Sequence, residues 1–160
     1  SMSVRENLEF PLIRHFNFTD AEREEKIKSV LEKVSLEEAI DKMPSELSGG
    51  MKKRIGLARS IITEPKLMLY DEPTTGLDPI TSKEISSLIL ELQKSLKMTS
   101  IVVTHDLLCA EIIADRAIVL NEGIVQHEGT ISELTTSRDP FLRNFFSHEI
   151  VEEQNRRNNV

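Results

Sequence analysis

Apolar residues along this chain follow two different rhythms. Between positions 22 and 34, Ile27, Val30, Leu31 and Val34 recur at the spacing that lines one face of a helix. Thr19 or Asp20 is placed to cap its start. The charged stretch 2–43 carries this helical periodicity throughout, and Pro44 then interrupts it. Ser48-Gly49-Gly50 opens a second helix that turns Ile55, Ala58, Ile61 and Ile62 inward, runs to about Thr63 and is closed by Glu64-Pro65. From there the rhythm changes. Positions 66–70 form a short apolar run that leads into Asp71-Glu72-Pro73, which predicts a buried strand. A helix from about Pro79 to Leu96 and a strand at 100–104 complete a strand–helix–strand unit. Such units have parallel strands and a right-handed crossover. A short helix is expected after Asp106, two strands at 116–120 and 124–128 around Asn121-Glu122-Gly123, and a helix from Asp139 to about Glu153. The polar tail 154–160 should fray. The fold class is α/β.

Composition narrows the function more than the fold. A chain of 160 residues forms one domain or part of a larger one. Its net charge of −7, with no Trp and 4% aromatics, argues against nucleic acid as a partner, because backbone binding needs excess Lys and Arg and single strands need stacking platforms. Cys109 is the single cysteine, so no internal disulfide forms and a reducing cytosol is the expected compartment. Apolar runs such as Ile101-Val102-Val103 fall far short of the roughly 20 residues that span a bilayer, and no signal-peptide core follows the N-terminus. Any membrane role is expected to come through a partner.

Four short segments carry chemistry. Leu47-Ser48-Gly49-Gly50-Met51 places two glycines at a helix start, where backbone N–H groups and the helix dipole favour an anion; it also reads as a plain capped turn. Asp71-Glu72 stands at the C-terminal end of a strand, the edge at which open α/β sheets bind ligands. One acid there can hold Mg²⁺ while its neighbour orients a water, or the pair can simply mark an acidic loop boundary. Asp78 before Pro79 reads as an N-cap with proline at the first helical position. His105 follows the second parallel strand, so it should emerge on the same edge as Asp71 and Glu72, where an imidazole can reach a phosphate. His15, His127 and His148 have no such company and read as structural or solvated.

Taken together and in this order, the segments resemble the ATP-binding subunits of ABC transporters. Leu47 to Met51 is similar to that family's signature motif, Leu67 to Glu72 to its Walker B, Thr75 to Asp78 to its D-loop, and His105 to its switch histidine. The resemblance implies a partial P-loop NTPase fold with a helical subdomain at 1–63, part of the ATPase core at 64–135, and a C-terminal helix and tail at 136–160. It implies ATP and Mg²⁺ as ligands. Asp71 would coordinate the metal, Glu72 would be the catalytic base, and His105 would contact the γ-phosphate. Ser48, Gly49 and Gly50 would touch ATP held by the opposite subunit of a head-to-tail homodimer, with Asp78 at the same interface. The partner would be an integral membrane permease, and the location the cytoplasmic face of the cell membrane.

The sequence departs from the family in two places. No Gly-x-x-x-x-Gly-Lys-Ser/Thr occurs, so the loop that cradles phosphates is missing, along with the aromatic adenine-stacking position and the glutamine loop. The chain reads as truncated at its N-terminus and inactive alone, and Ser1 as a tag scar or native residue. Strands 66–70 and 100–104 would then keep an exposed edge and apolar surface. The other departure is Met51, where most of the family has Gln. Met51-Lys52-Lys53-Arg54, Ser3 to Asn7 with Phe10-Pro11, and Arg138-Asp139-Pro140 with Arg143 and Phe145 resemble the Mla/Mce-type ATPases. That implies lipid transport across the bacterial envelope, with an Mce-domain protein as a further partner. Amino-acid or metal transport is the alternative, as is a non-catalytic module offering only its signature helix.

Overall fold

The computed structural model describes residues 2–147. Its N-terminal part is helical. Helix α1 (Val4–His15) and helix α2 (Asp20–Lys33) each begin with a capping box, in which Ser3 pairs with Glu6 and Thr19 with Glu22. In each box the hydroxyl accepts an amide of the first turn while the glutamate accepts the cap residue's own amide. Thr19, of the two candidates, is the cap. Val4, Leu8 and Leu12 of α1 meet Ile27, Val30 and Leu31 of α2 in the main core. Arg23 on α2 bonds Glu9 on α1 at 2.9 Å. Short 3-10 turns at Glu37–Ala39 and Pro44–Glu46 carry the chain to α3 (Gly49–Ile61). Arg54 on α3 reaches the Val34 carbonyl at 3.3 Å and Glu84 at 3.2 Å, tying α3 to its neighbours on both sides.

Strand β1 (Leu67–Asp71), helix α4 (Pro79–Leu96) and strand β2 (Thr99–Val103) follow. β1 and β2 are parallel, in a register running from Leu67 opposite Thr99 to Asp71 opposite Val103. Side chains alternate across a strand, and here the two faces have different fates. Met68 and Tyr70 join the core with Ile85 and Ile89 of α4. Leu67, Leu69, Ile101 and Val103 are 52%, 68%, 55% and 58% exposed. The run is thus buried on one face only, and no described element covers the other. The apolar surface expected for these strands is this face.

Helix α5 (Leu107–Ile113) begins at the Asp106 cap, and strands β3 (Ala117–Asn121) and β4 (Ile124–Gly129) form an antiparallel hairpin. Its two turn residues, Glu122 and Gly123, have φ of 50° and 81°, the mirror-image turn that matches strand twist. Helix α6 (Ile131–Thr135), absent from the sequence reading, starts with a third capping box, Thr130 with Glu133. Asp139 caps a last helix, which occupies 140–147. Val119, Leu134, Leu142 and Phe146 make a second, smaller core there. The expected continuation of that helix to 153, the polar tail, His148 and Ser1 lie outside the described residues. No described helix is long and apolar enough to cross a membrane.

Candidate functional site

The parallel pairing brings the loops after β1 and β2 to one edge, and the first residue past β1 is their meeting point. Glu72 donates its backbone N–H to the Val103 carbonyl at 2.8 Å, extending the ladder by one bond. Its φ is 48°, a left-handed conformation that costs a residue with a Cβ about 1–2 kcal/mol. Non-glycine residues stay in such a conformation only where their surroundings hold them there. Glu72 is held on several sides. Its Oε1 accepts the His105 amide at 3.1 Å and lies 2.9 Å from His105 Nδ1. Its Oε2 accepts the Thr75 hydroxyl at 3.0 Å, and its carbonyl lies 3.4 Å from Lys53 Nζ on α3.

These contacts set the state of the carboxyl. Burial by itself would raise the Glu72 pKa. The hydrogen bonds from the His105 ring and the Thr75 hydroxyl, the imidazole charge and the His105 amide outweigh it and hold the group below the usual carboxylate value. Glu72 is thus ionised at neutral pH. As an acceptor-only group it can orient a water, and its contact with Nδ1 fixes the plane of the ring.

Asp71, opposite Val103, ends β1 with its side chain exposed. Among the described residues no group of three or more acids, histidines or cysteines forms a ready metal cage. Mg²⁺ needs none, because it takes one or two carboxylates and completes its shell with phosphate oxygens and water. Asp71 beside an open edge fits that demand.

The other predicted residues form a second group at the starts of α3 and α4. Ser48 caps α3 by accepting the Met51 amide at 3.2 Å. Gly49 and Gly50 occupy the first turn, whose amides a helix cannot satisfy internally. A Cβ at Gly50 would come within 2.8 Å of Thr81 Cγ2, so glycine is required by the close approach of α4. Asp78 caps α4 by accepting the amides of Ile80 and Thr81 at 3.1 and 3.0 Å, and it also accepts the Thr81 hydroxyl. These bonds, the Thr81 hydroxyl first, hold its carboxyl below the ordinary value. The structure thus joins Glu72 and His105 directly, with Asp71 alongside, and sets Ser48, Gly49, Gly50 and Asp78 together elsewhere. Lys53 is the link between the groups. Sequence reasoning missed Lys53 and Thr75. Their signals were present: Lys53 lies one helical turn beyond Gly50, and Thr75 follows the acid pair by a turn's length.

With this geometry in place, the likeness to known proteins is specific. The ABC transporter family profile matches residues 1–75. The chain is 35% identical over 144 residues to the methionine import ATP-binding protein MetN of Streptococcus mutans, covering 89% of this chain and 40% of that one. MetN of Streptococcus pyogenes is 36% identical over 132 residues, covering 82% and 37%. Among solved structures, cbiO1 from Clostridium perfringens, part of the ABC transporter complex cbiONQ, superposes with a TM-score of 0.78 at 32% identity. That match covers 97% of this chain and 57% of cbiO1. The ATP-binding cassette MJ0796, a dimer in a post-hydrolysis state bound to ADP and Pi, gives a TM-score of 0.70 at 32% identity, covering 81% and 57%. Residues 1–75 match the ABC transporter family, and the chain has the α/β fold of these ABC ATPase domains. It spans about two-fifths of the length of the curated relatives named here.

These relatives are methionine importers, which corrects the Mla/Mce resemblance. Met51, one of several residues behind that resemblance, packs against the main core.

Proposed function

We propose that this chain contributes the water-activating edge and the signature helix of an ATP-hydrolysing transporter subunit that drives amino-acid import, with methionine as the cargo. The observation that carries the hydrolytic part is the Glu72–His105 pair at the common end of two parallel strands, 2.9 Å apart. Ionised Glu72 accepts a hydrogen bond from the attacking water and aligns it with the γ-phosphate. Its lowered pKa makes it stronger at orienting that water than at keeping its proton. His105, whose Nδ1 lies 2.9 Å from Glu72 Oε1, is the residue that contacts the γ-phosphate. Asp71 supplies the carboxylate for Mg²⁺. Ser48, Gly49 and Gly50 present a helix start to nucleotide bound across a dimer, an arrangement supported by the dimeric state of MJ0796. Asp78, its oxygens committed to the α4 cap, acts by shaping that surface. The sequence holds no Gly-x-x-x-x-Gly-Lys-Ser/Thr, so the proposal assigns the phosphate cradle to residues outside these 160.

The cargo rests on the methionine importers among the relatives, and a membrane permease is the partner that such a role requires. The lipid reading, with its Mce-domain partner, has only short segments such as that around Met51 behind it and gives way. In the assembled ATPase, Glu72→Gln should lower ATP turnover by on the order of a hundredfold or more while nucleotide still binds. Cells lacking the protein should lose uptake of labelled methionine. Normal turnover in Glu72→Gln would remove Glu72 from the chemistry. Unchanged methionine uptake would remove the cargo while leaving the ATPase reading intact.

A further inference from the structure

Beside the carboxylate–imidazole pair lies a second contact between the same two loops. Thr74 is only 4% exposed, and its hydroxyl donates to Asp106 Oδ2 at 2.9 Å. The other oxygen of Asp106, Oδ1, accepts the Cys109 amide at 3.1 Å and so caps α5. The backbone N–H of Asp106 donates to Thr104 Oγ1 at 3.0 Å. His105 is therefore bracketed. The residue before it and the residue after it are bonded to each other, and that turn is bonded to α5 on one side and to the loop after β1 on the other.

We infer that Thr74 and Asp106 are positioning residues, a latch that holds the His105 loop against the Glu72 loop so that the carboxylate keeps its left-handed, ring-facing pose. The inference rests on reading Glu72 and His105 as the hydrolytic pair. Their role in this reading is to position the pair and not to react. What they control is whether a residue at φ 48° stays there. Such a conformation relaxes once its surroundings cease to determine it. Removing the Thr74 hydroxyl leaves a half-buried carboxylate oxygen short of a partner, which favours opening of the two loops.

The test compares Thr74→Val, of equal shape but without the hydroxyl, with Thr74→Ser, which restores it, in the assembled ATPase. The readouts are kcat, KM for ATP, and amide hydrogen exchange. Thr74→Val should lower kcat about tenfold with KM little changed, and exchange at the His105 amide should quicken while the α4 amides stay protected. Thr74→Ser should return both to wild-type values. Thr74→Ala, which also removes the hydroxyl, serves if Thr74→Val does not fold, and should show the same exchange signature. Wild-type kcat in Thr74→Val would overturn the latch. So would a Ser variant as impaired as the Val variant, or exchange quickened equally throughout α4. If Glu72→Gln retains full turnover, the reading of the site fails and the latch falls with it. If Glu72→Gln is inactive and Thr74→Val is not, only the latch fails.

Discussion

At the scale of single residues, Glu72, the group proposed to orient the water, is held in an unfavourable backbone conformation. Four elements contribute: β2 through Val103, the loop beyond it through His105, the turn after β1 through Thr75, and α3 through Lys53. Its protonation links to stability with a definite sign. The folded pKa lies below the unfolded one, so Glu72 contributes stability that is present above the ordinary glutamate value of 4.5. That contribution is lost as pH falls through the folded value. Unfolding by urea, followed from neutral pH downward, should show wild type losing stability in this acid window, with a flatter curve for Glu72→Gln. Parallel curves would mean that the bonds to His105 do not favour the ionised form. The meeting of Glu72 and His105 was legible in advance, because strand–helix–strand units put both residues on one edge. The left-handed backbone was not: nothing in a glutamate side chain favours it, and its determinants come from positions 53, 75, 103 and 105.

Elements begin here where short side chains reach back to amides. Ser3, Thr19, Ser48, Asp78, Asp106 and Thr130 each cap a helix. Because caps are local, helix starts were readable from the sequence at Ser48, Asp78 and Asp106. Helix α6 escaped notice although Thr130 and Glu133 signalled it, since five residues are too few to show a period. The apolar run at 66–70 signals the strand, now Leu67–Asp71, but not which of its faces is covered. An apolar run looks the same whether one face or two are covered, and coverage depends on other parts of the chain. Thr19→Ala should lower stability by about 1 kcal/mol, read as a shift in the urea midpoint at unchanged slope. The loss should shrink when Glu22 is also replaced by Ala, because the two side chains bond each other as well as the backbone. Additive losses would mean that the two halves of the box act independently.

For the molecule as a whole, the uncovered face of β1 and β2 matters most. Four large apolar side chains more than half exposed on adjacent strands form a patch of the kind that soluble monomers avoid. The two-stranded sheet also leaves ladder groups open at its sides. The isolated chain should therefore associate in sedimentation experiments. Leu69→Thr with Ile101→Thr, a facing pair that keeps strand propensity, should shift it toward monomer. A wild-type chain that sediments as a monomer and melts cooperatively would count against this. A buried thiol offers little alternative route to association, since burial above all pushes the Cys109 pKa up and keeps it unreactive.

Thr81 faces two ways. Its hydroxyl closes on Asp78, while its methyl group stands 2.8 Å from where a side chain at position 50 would begin. One small residue thus acts as a spacer, fixing the interval between the glycine turn and the α4 cap. The residue that limits the space at Gly50 is therefore the one bonded to Asp78. The two turns, 28 positions apart in the chain, are thus spaced by the width of a methyl group.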